Sequence, residues 1–265
     1  MSLTVELPSS ADDAVGVLTD GGVVIAGGTV VMPLLSTRAH GVATLVSLRG
    51  AGLGGIDVAG GVAELGATTT LAQVGRDARL AVLRPVIESI AAPPLRNLAT
   101  VGGNLFVPSG DLAVALLALD AEVEVALATG REWHAVSAVL QTGAPPCSVV
   151  TRVRLAVPAA GEFFYTKAMR RRLNSGLIVT VAVMLALNDG TIVSCRVALG
   201  GAGPRPLRSA PAEAALIGGP LTRERVEAAG AAAAAAAEPP TDAYASAWYR
   251  RRVLPVHIRR ALLGD

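Results

Sequence analysis

Thr100-Val101-Gly102-Gly103-Asn104-Leu105, together with the earlier Ala26-Gly27-Gly28-Thr29, reads as a pair of tight glycine turns set between apolar segments. Paired glycines let the backbone approach an anion closely and point successive N–H groups at it, where a β-carbon would obstruct the approach. Two such turns suggest a cradle for a diphosphate. Backbone N–H bonds to a charged acceptor contribute about 1.5–3 kcal/mol each, so four or five of them would hold a dinucleotide with no lysine. That matters in a chain whose sole lysine is Lys167. Either turn taken alone is read equally well as an ordinary loop, because the chain has 29 glycines.

On the N-terminal side of the first turn, Leu3 to Leu7 reads as an edge strand, and Ser9 or Ser10 caps a short helix through Leu18. Val23-Val24-Ile25 is a buried strand that delivers the turn, and Val30 to Leu35 starts a second helix. Strand patterns follow at Thr44 to Leu48, Ile56 to Val58 and Val62 to Ala67. Between them Gly50-Ala51-Gly52-Leu53-Gly54-Gly55 matches GxGxxG, but a dinucleotide fingerprint needs a helix directly after it. Here Ile56 to Gly61 is a short strand and another turn, so a glycine-rich hairpin is the better reading.

Thr68-Thr69-Thr70 caps Leu71 to Val74, and Val82 to Ala91 is a helix that Pro93-Pro94 ends. Asp111 stands at the start of the apolar helix Leu112 to Leu119, where its carboxylate serves as a cap or reaches a ligand ribose. Glu122 to Leu127 and Val149 to Leu155 alternate as half-exposed strands, and Pro158 to Gly161 reads as a linker. Beyond it, Phe163 to Ala168, Leu177 to Leu187 and Ile192 to Leu199 precede two helical stretches. An antiparallel sheet with helices on one face is expected there. The expected domains are 1–158 and 161–265. Ala231 to Ala237 reads as helix by propensity.

The composition narrows the function classes. A core for 265 residues with 52% hydrophobic but only 3% aromatic side chains must be mostly Ala, Val and Leu. The net charge of +2 gives no support to nucleic acid or an acidic membrane as partner. Cys147 and Cys195 form no CxxC pair, so neither a structural zinc, an iron–sulfur cluster nor a disulfide framework is expected within the chain. His40, His134 and His257 lie far apart, and neither a GxSxG elbow nor a GxxxxGK[ST] loop is present. The residues thus give no metal site and no catalytic constellation. Met1 to Leu7 does not read as a secretory signal. The longest apolar run, Leu177 to Leu187, is about half of the roughly 20 residues that span a bilayer. A soluble, cytoplasmic protein is expected.

The order Val23-Val24-Ile25-Ala26-Gly27-Gly28-Thr29, then Thr100 to Asn104 running through Asp111 into an apolar helix, resembles the FAD-binding subunit of molybdenum-containing hydroxylases. That family includes the xanthine dehydrogenase flavin domain and the carbon monoxide dehydrogenase medium subunit. Tyr165 to Arg172, Ala198-Leu199-Gly200-Gly201 followed by Pro206-Leu207-Arg208, and Tyr249-Arg250-Arg251 followed by Arg259 to Leu262 resemble its C-terminal domain, so the likeness runs through essentially the whole chain.

The resemblance implies an α+β fold: a two-part FAD-binding domain of the vanillyl-alcohol-oxidase/PCMH type, then a small C-terminal domain of antiparallel sheet plus helices. It implies FAD as cofactor, with Ala26, Gly27, Gly28, Thr29 and Val30 and Thr100, Val101, Gly102, Gly103 and Asn104 around its pyrophosphate. Asp111 would share capping with FAD contact, Val150 would pack on the isoalloxazine, and Lys167 would reach toward the flavin, although a strand lysine is otherwise expected in solvent. Val30 stands where many members have Asp, Asn174 and Ser175 replace a usual Asp, and Asn104 to Asp111 is about two residues short. Of the arginines 170–172, solvated charge is the default reading. The resemblance also implies partners, a [2Fe–2S] small subunit and a molybdopterin-containing large subunit, between which and an external acceptor this chain would relay electrons. The competing readings are a stand-alone FAD oxidoreductase and a non-catalytic assembly subunit that has lost FAD.

Overall fold

The computed structural model describes residues 3–18, 22–37, 42, 44–107, 110–171 and 176–265. His40, Arg172, Asn174 and Ser175 lie outside the described residues. In chain order the elements are β1 Thr4–Glu6, α1 Ala11–Val17, β2 Gly22–Ile25, α2 Val31–Ser36, β3 Thr44–Ser47, β4 Ile56–Ala59, β5 Val62–Gly66 and α3 Leu71–Arg76. Then come α4 Arg84–Ser89, α5 Pro93–Arg96, α6 Val101–Leu105, α7 Asp111–Ala118, β6 Glu122–Leu127, β7 Gly130–Ala135, α8 Val136–Thr142 and β8 Val149–Ala156. The remainder is β9 Phe163–Met169, β10 Leu177–Asn188, β11 Thr191–Gly200, β12 Leu207–Arg208, α9 Ala210–Leu216, α10 Arg223–Ala236 and α11 Ala247–Leu263.

Two compact units form. The first comprises Met1–Ala81, Ala92–Val107 and Ala121–Ala156; the second comprises Val82–Ala91, Pro108–Asp120 and Val157–Asp265. Two segments that precede residue 158 in sequence thus belong to the second unit.

The first unit has two sheets. One is parallel, in the order β1-β3-β2, so the Leu3 to Leu7 pattern is indeed an edge strand, shortened to three residues. Ser10 is the residue that caps α1, accepting from the Asp13 N–H. The other sheet is antiparallel, in the order β4-β5-β8-β6-β7. Gly60 and Gly61, both at positive φ, turn the β4–β5 hairpin, as a two-residue turn matched to strand twist requires. The GxGxxG match therefore opens a hairpin and no Rossmann unit. Thr70 caps α3 with a full capping box completed by Gln73. Pro93 and Pro94 do not simply end a helix; they open α5, where the first turn has no need of their missing N–H groups.

In the second unit β12-β11-β10-β9 form an antiparallel sheet. Alternate residues Val179, Val181, Val183 and Leu185 of β10 join a core with Leu216, Val226, Ala229, Leu254 and Ile258 from α9, α10 and α11. The opposite face, carrying Thr180 and Gly200, is covered by α7: a β-carbon at position 200 would stand 2.9 Å from Val114 Cγ2. All eight residues of α7 are buried, which explains its apolarity on every side. Helices thus cover both faces, the second supplied from a segment the sequence reading assigned to the first domain. The alanine-rich α10 packs on α11 closely enough that a β-carbon on Gly230 would lie 2.9 Å from Pro255 Cα. Among the described residues no helix is long and apolar enough to cross a membrane.

Candidate functional site

In the first unit a cleft of about 410 Å³ opens between the two glycine stretches, within the ~300–1,000 Å³ typical of small-molecule sites. Ala26, Gly27, Gly28, Thr29, Val30, Thr100, Gly102, Gly103, Asn104 and Val150 all line it. Val101 does not; it is the fully buried first residue of α6. Asp111 and Lys167 are not among the lining residues and belong to the second unit.

The two glycine stretches differ in what their backbones offer. Thr100 to Asn104 is not a tight turn but the start of α6, capped by Thr100 Oγ1, which accepts from the Gly103 N–H at 3.1 Å. Val101 N–H donates to Thr69 O, Gly102 N–H to Ala67 O and Asn104 N–H to Thr100 O, each at 2.9 Å. Those four donors are already used within the chain, so the expected N–H cradle cannot come from this stretch. At Ala26 to Val30 the position is reversed: the N–H groups of Gly27, Gly28, Thr29 and Val30 have no acceptor among the described residues. They precede α2, whose N-cap Val30 provides no side-chain acceptor.

The glycines themselves answer to the fold. A β-carbon on Gly27 would lie 1.9 Å from Leu98 O, and Gly28 has φ +70°. On Gly102 it would meet Ala67 Cβ at 3.0 Å. Gly27 thus lets its stretch approach Leu98 and Ala99, just before the second stretch, and Gly102 lets α6 approach Ala67.

Asn104 is 8% exposed, and its Oδ1 is buried without a hydrogen-bond partner among the described residues. An orphaned acceptor lining a cleft calls for a donor from a ligand, since leaving it unpaired costs about 1–3 kcal/mol. Among the described residues no charged side chain lines the cleft, so from these residues an anion would be held by backbone dipoles. Phe106, Leu48, Ala67 and Ser148 also line it and were missed in the sequence. Phe106 directly follows the motif and could have been found as one of three phenylalanines in the chain; Leu48 and Ser148 arrive through packing that no local pattern announces.

These features fit FAD on the residues' own chemistry. Free N–H groups suit a diphosphate, the orphaned Asn104 Oδ1 suits a hydroxyl or ring N–H, and the apolar Val150 and Phe106 suit a planar ring.

In the second unit Lys167 Nζ donates to Asp111 Oδ2 at 2.6 Å and to Ser89 O at 2.9 Å. Thr180 Oγ1 donates to Asp111 Oδ1 at 2.7 Å, and Ser89 Oγ shares a 2.8 Å bond with Tyr165 Oη. Lys167 is therefore not a solvated strand lysine; it is as buried as its partner. Asp111 is the first residue of α7 behind Gly110, and its carboxylate makes no cap. Burial raises the Asp111 pKa although Lys167 and Thr180 oppose the rise, and burial with the Asp111 charge pushes the Tyr165 phenol well up. Cys195 is buried, and that burial, with Glu213 nearby, takes its thiol to about 12. No group of metal-ligating side chains occurs among the described residues.

Comparisons with known proteins agree with this geometry. Residues 1–157 match the family described as FAD binding domain in molybdopterin dehydrogenase, and residues 164–264 match the CO dehydrogenase flavoprotein C-terminal domain. The chain is 30% identical to the carbon monoxide dehydrogenase medium chain of Afipia carboxidovorans, over 96% of this chain and 93% of that one. It is also 30% identical to the nicotine 6-hydroxylase medium subunit of Paenarthrobacter nicotinovorans, over 97% and 94%. The solved CO dehydrogenase of Oligotropha carboxidovorans contains a chain that superposes with a TM-score of 0.91 at 30% identity, covering 99% of this chain and 96% of its own. The chain belongs to the family of FAD-binding subunits of molybdopterin dehydrogenases.

Proposed function

We infer that this chain is the FAD-carrying electron-transfer subunit of a molybdenum hydroxylase complex. It receives electrons from a [2Fe–2S] small subunit, whose source is a molybdopterin-containing large subunit, and passes them through flavin to an external acceptor. The observation that carries this reading is a cleft lined by Gly27 to Val30, whose four backbone N–H groups have no acceptor among the described residues, and by Asn104, whose Oδ1 likewise has no partner there. Bound there, FAD supplies the one- and two-electron chemistry that no side chain of the chain possesses.

The residues' task is to hold and orient. Ala26 to Val30 bind the diphosphate, Thr100 to Asn104 shape the wall with Asn104 Oδ1 accepting from the cofactor, and Val150 with Phe106 excludes water from the ring. Asp111 and Lys167 are assigned to the FAD site by the family resemblance. The division into an FAD-binding domain, 1–158, and a C-terminal domain, 161–265, and a cytoplasmic location belong to the same proposal. A stand-alone oxidase is disfavoured because the chain covers 93% of a medium subunit that belongs to a carbon monoxide dehydrogenase. A subunit that has lost FAD is disfavoured by the unspent donors.

The test is the visible absorption spectrum of purified wild type and Asn104→Ala. Wild type should carry or take up one FAD, and Asn104→Ala should bind it about tenfold more weakly, the loss of one buried hydrogen bond. A wild-type chain that neither retains nor takes up FAD defeats the reading.

A further inference from the structure

The chain has eight aromatic residues in all, yet Tyr244, Trp248 and Tyr249 fall within six positions and are all exposed, at 50%, 66% and 43%. Trp248 is the more telling, since an indole left in water forgoes the burial that would stabilise it, and aromatic surface of this kind is enriched where proteins meet. These three residues lie at the N-terminal end of α11, outside the FAD cleft.

The cluster is charged on one sign. Residues 241–263 hold five arginines and one aspartate; Arg259 pairs with Asp265 just beyond that stretch, and the exposed cations next to the aromatics in sequence are Arg251 and Arg252. That aspartate, Asp242, is spent: both its oxygens accept from the buried Arg250, and Oδ1 also takes the Tyr244 and Ala245 N–H groups. Arg250 in turn donates to the Leu177 and Ile178 carbonyls, which fixes the segment before α11 on the sheet. The guanidinium of Arg252 lies 5.6 Å over the Trp248 ring. Arg170 reaches the Ala243 carbonyl and Arg251 the Ala237 carbonyl. Among the described residues no carboxylate pairs with Arg170, Arg171, Arg251 or Arg252. The segment is thus tied to the sheet through Arg250, while the charges of Arg251 and Arg252 have no carboxylate partner among the described residues.

We propose that the Tyr244–Trp248–Tyr249 surface with Arg251 and Arg252 is a docking face for an acidic surface of a partner subunit. It rests on the reading of this chain as one subunit of a complex. Trp, Tyr and Arg are the residue types that dominate interface energetics, and here they stand together with a single sign of charge. The excess of positive charge selects an acidic protein face. The small net charge of the whole chain disfavours a nucleic acid or a lipid surface.

The experiment is co-expression of the full chain with the [2Fe–2S] and molybdenum subunits, followed by measurement of subunit affinity for wild type, Trp248→Ala and Arg252→Glu. Both positions are exposed, so the fold is retained, and FAD content serves as an internal control. Each variant should weaken association by about tenfold or more at unchanged flavin content, with wild-type association also weakening as salt is raised. Wild-type affinity in both variants overturns the docking face alone. So does binding of the wild type to phosphatidylserine vesicles that the two substitutions abolish without touching subunit affinity. Failure of the wild type to associate with either subunit overturns the functional reading and the proposal with it, whatever its flavin content.

Discussion

Lys167 and Asp111 show how a single contact changes what a residue can be asked to do. A lysine on a strand is usually a solvated charge, but this one is buried against a carboxylate with Thr180 and Ser89 completing the bonds. Removing one partner strands the other charge in the interior. Lys167→Met should therefore destabilise the fold by about 3–5 kcal/mol, and adding Asp111→Asn should recover a good part of that loss. Denaturant titrations of the two single variants and the double variant measure the coupling, and strictly additive losses would show that the pair is not a unit. Gly27 makes a parallel point. Its β-carbon would sit 1.9 Å from Leu98 O, so Gly27→Ala should cost stability by overpacking, about 1–3 kcal/mol, as well as flavin affinity. A Gly27→Ala chain with the wild-type Tm would contradict the contact.

At the scale of elements, the sequence shows most clearly what local rules govern. Capping by Ser10 and Thr70, the β4–β5 hairpin and the long apolar β10 all follow from spacing and residue type. Thr100 to Asn104 was legible as a glycine-rich stretch, which lines the cleft, but not as a helix, because the bonds to Thr69 and Ala67 that place it depend on segments distant in sequence. The attachment of α4 and α7 to the second unit was invisible for the same reason: an all-apolar helix announces burial, not against what. His257 on α11 offers a test of an element's packing. Burial, with Arg260 nearby, lowers its pKa from the usual 6.5, and its Nδ1 is buried without a partner among the described residues. Between the lowered folded value and 6.5 the unfolded chain binds the extra proton, so stability should fall as pH drops through that window. From about pH 7.5 to about pH 5.5, wild type should lose more in Tm than His257→Gln, and equal losses would place the imidazole in water.

The whole molecule concentrates its specialised chemistry on holding one cofactor. Among the described residues the cleft has no charged lining residue and no metal-ligating group exists, and Cys195 is held as an unreactive thiol. The chain belongs to a family of FAD-binding subunits, so oxidation of the organic substrate is expected in a partner subunit. The isolated chain loaded with FAD should be reduced by a small chemical donor and reoxidised by an added acceptor, yet show no turnover of aldehydes, N-heterocycles or carbon monoxide. Restoring the [2Fe–2S] and molybdenum subunits should bring back turnover of one of these substrate classes. Assays of the lone chain and of the assembled complex under the same conditions decide the matter: robust oxidation of an organic substrate by the single polypeptide would make it a self-contained oxidase.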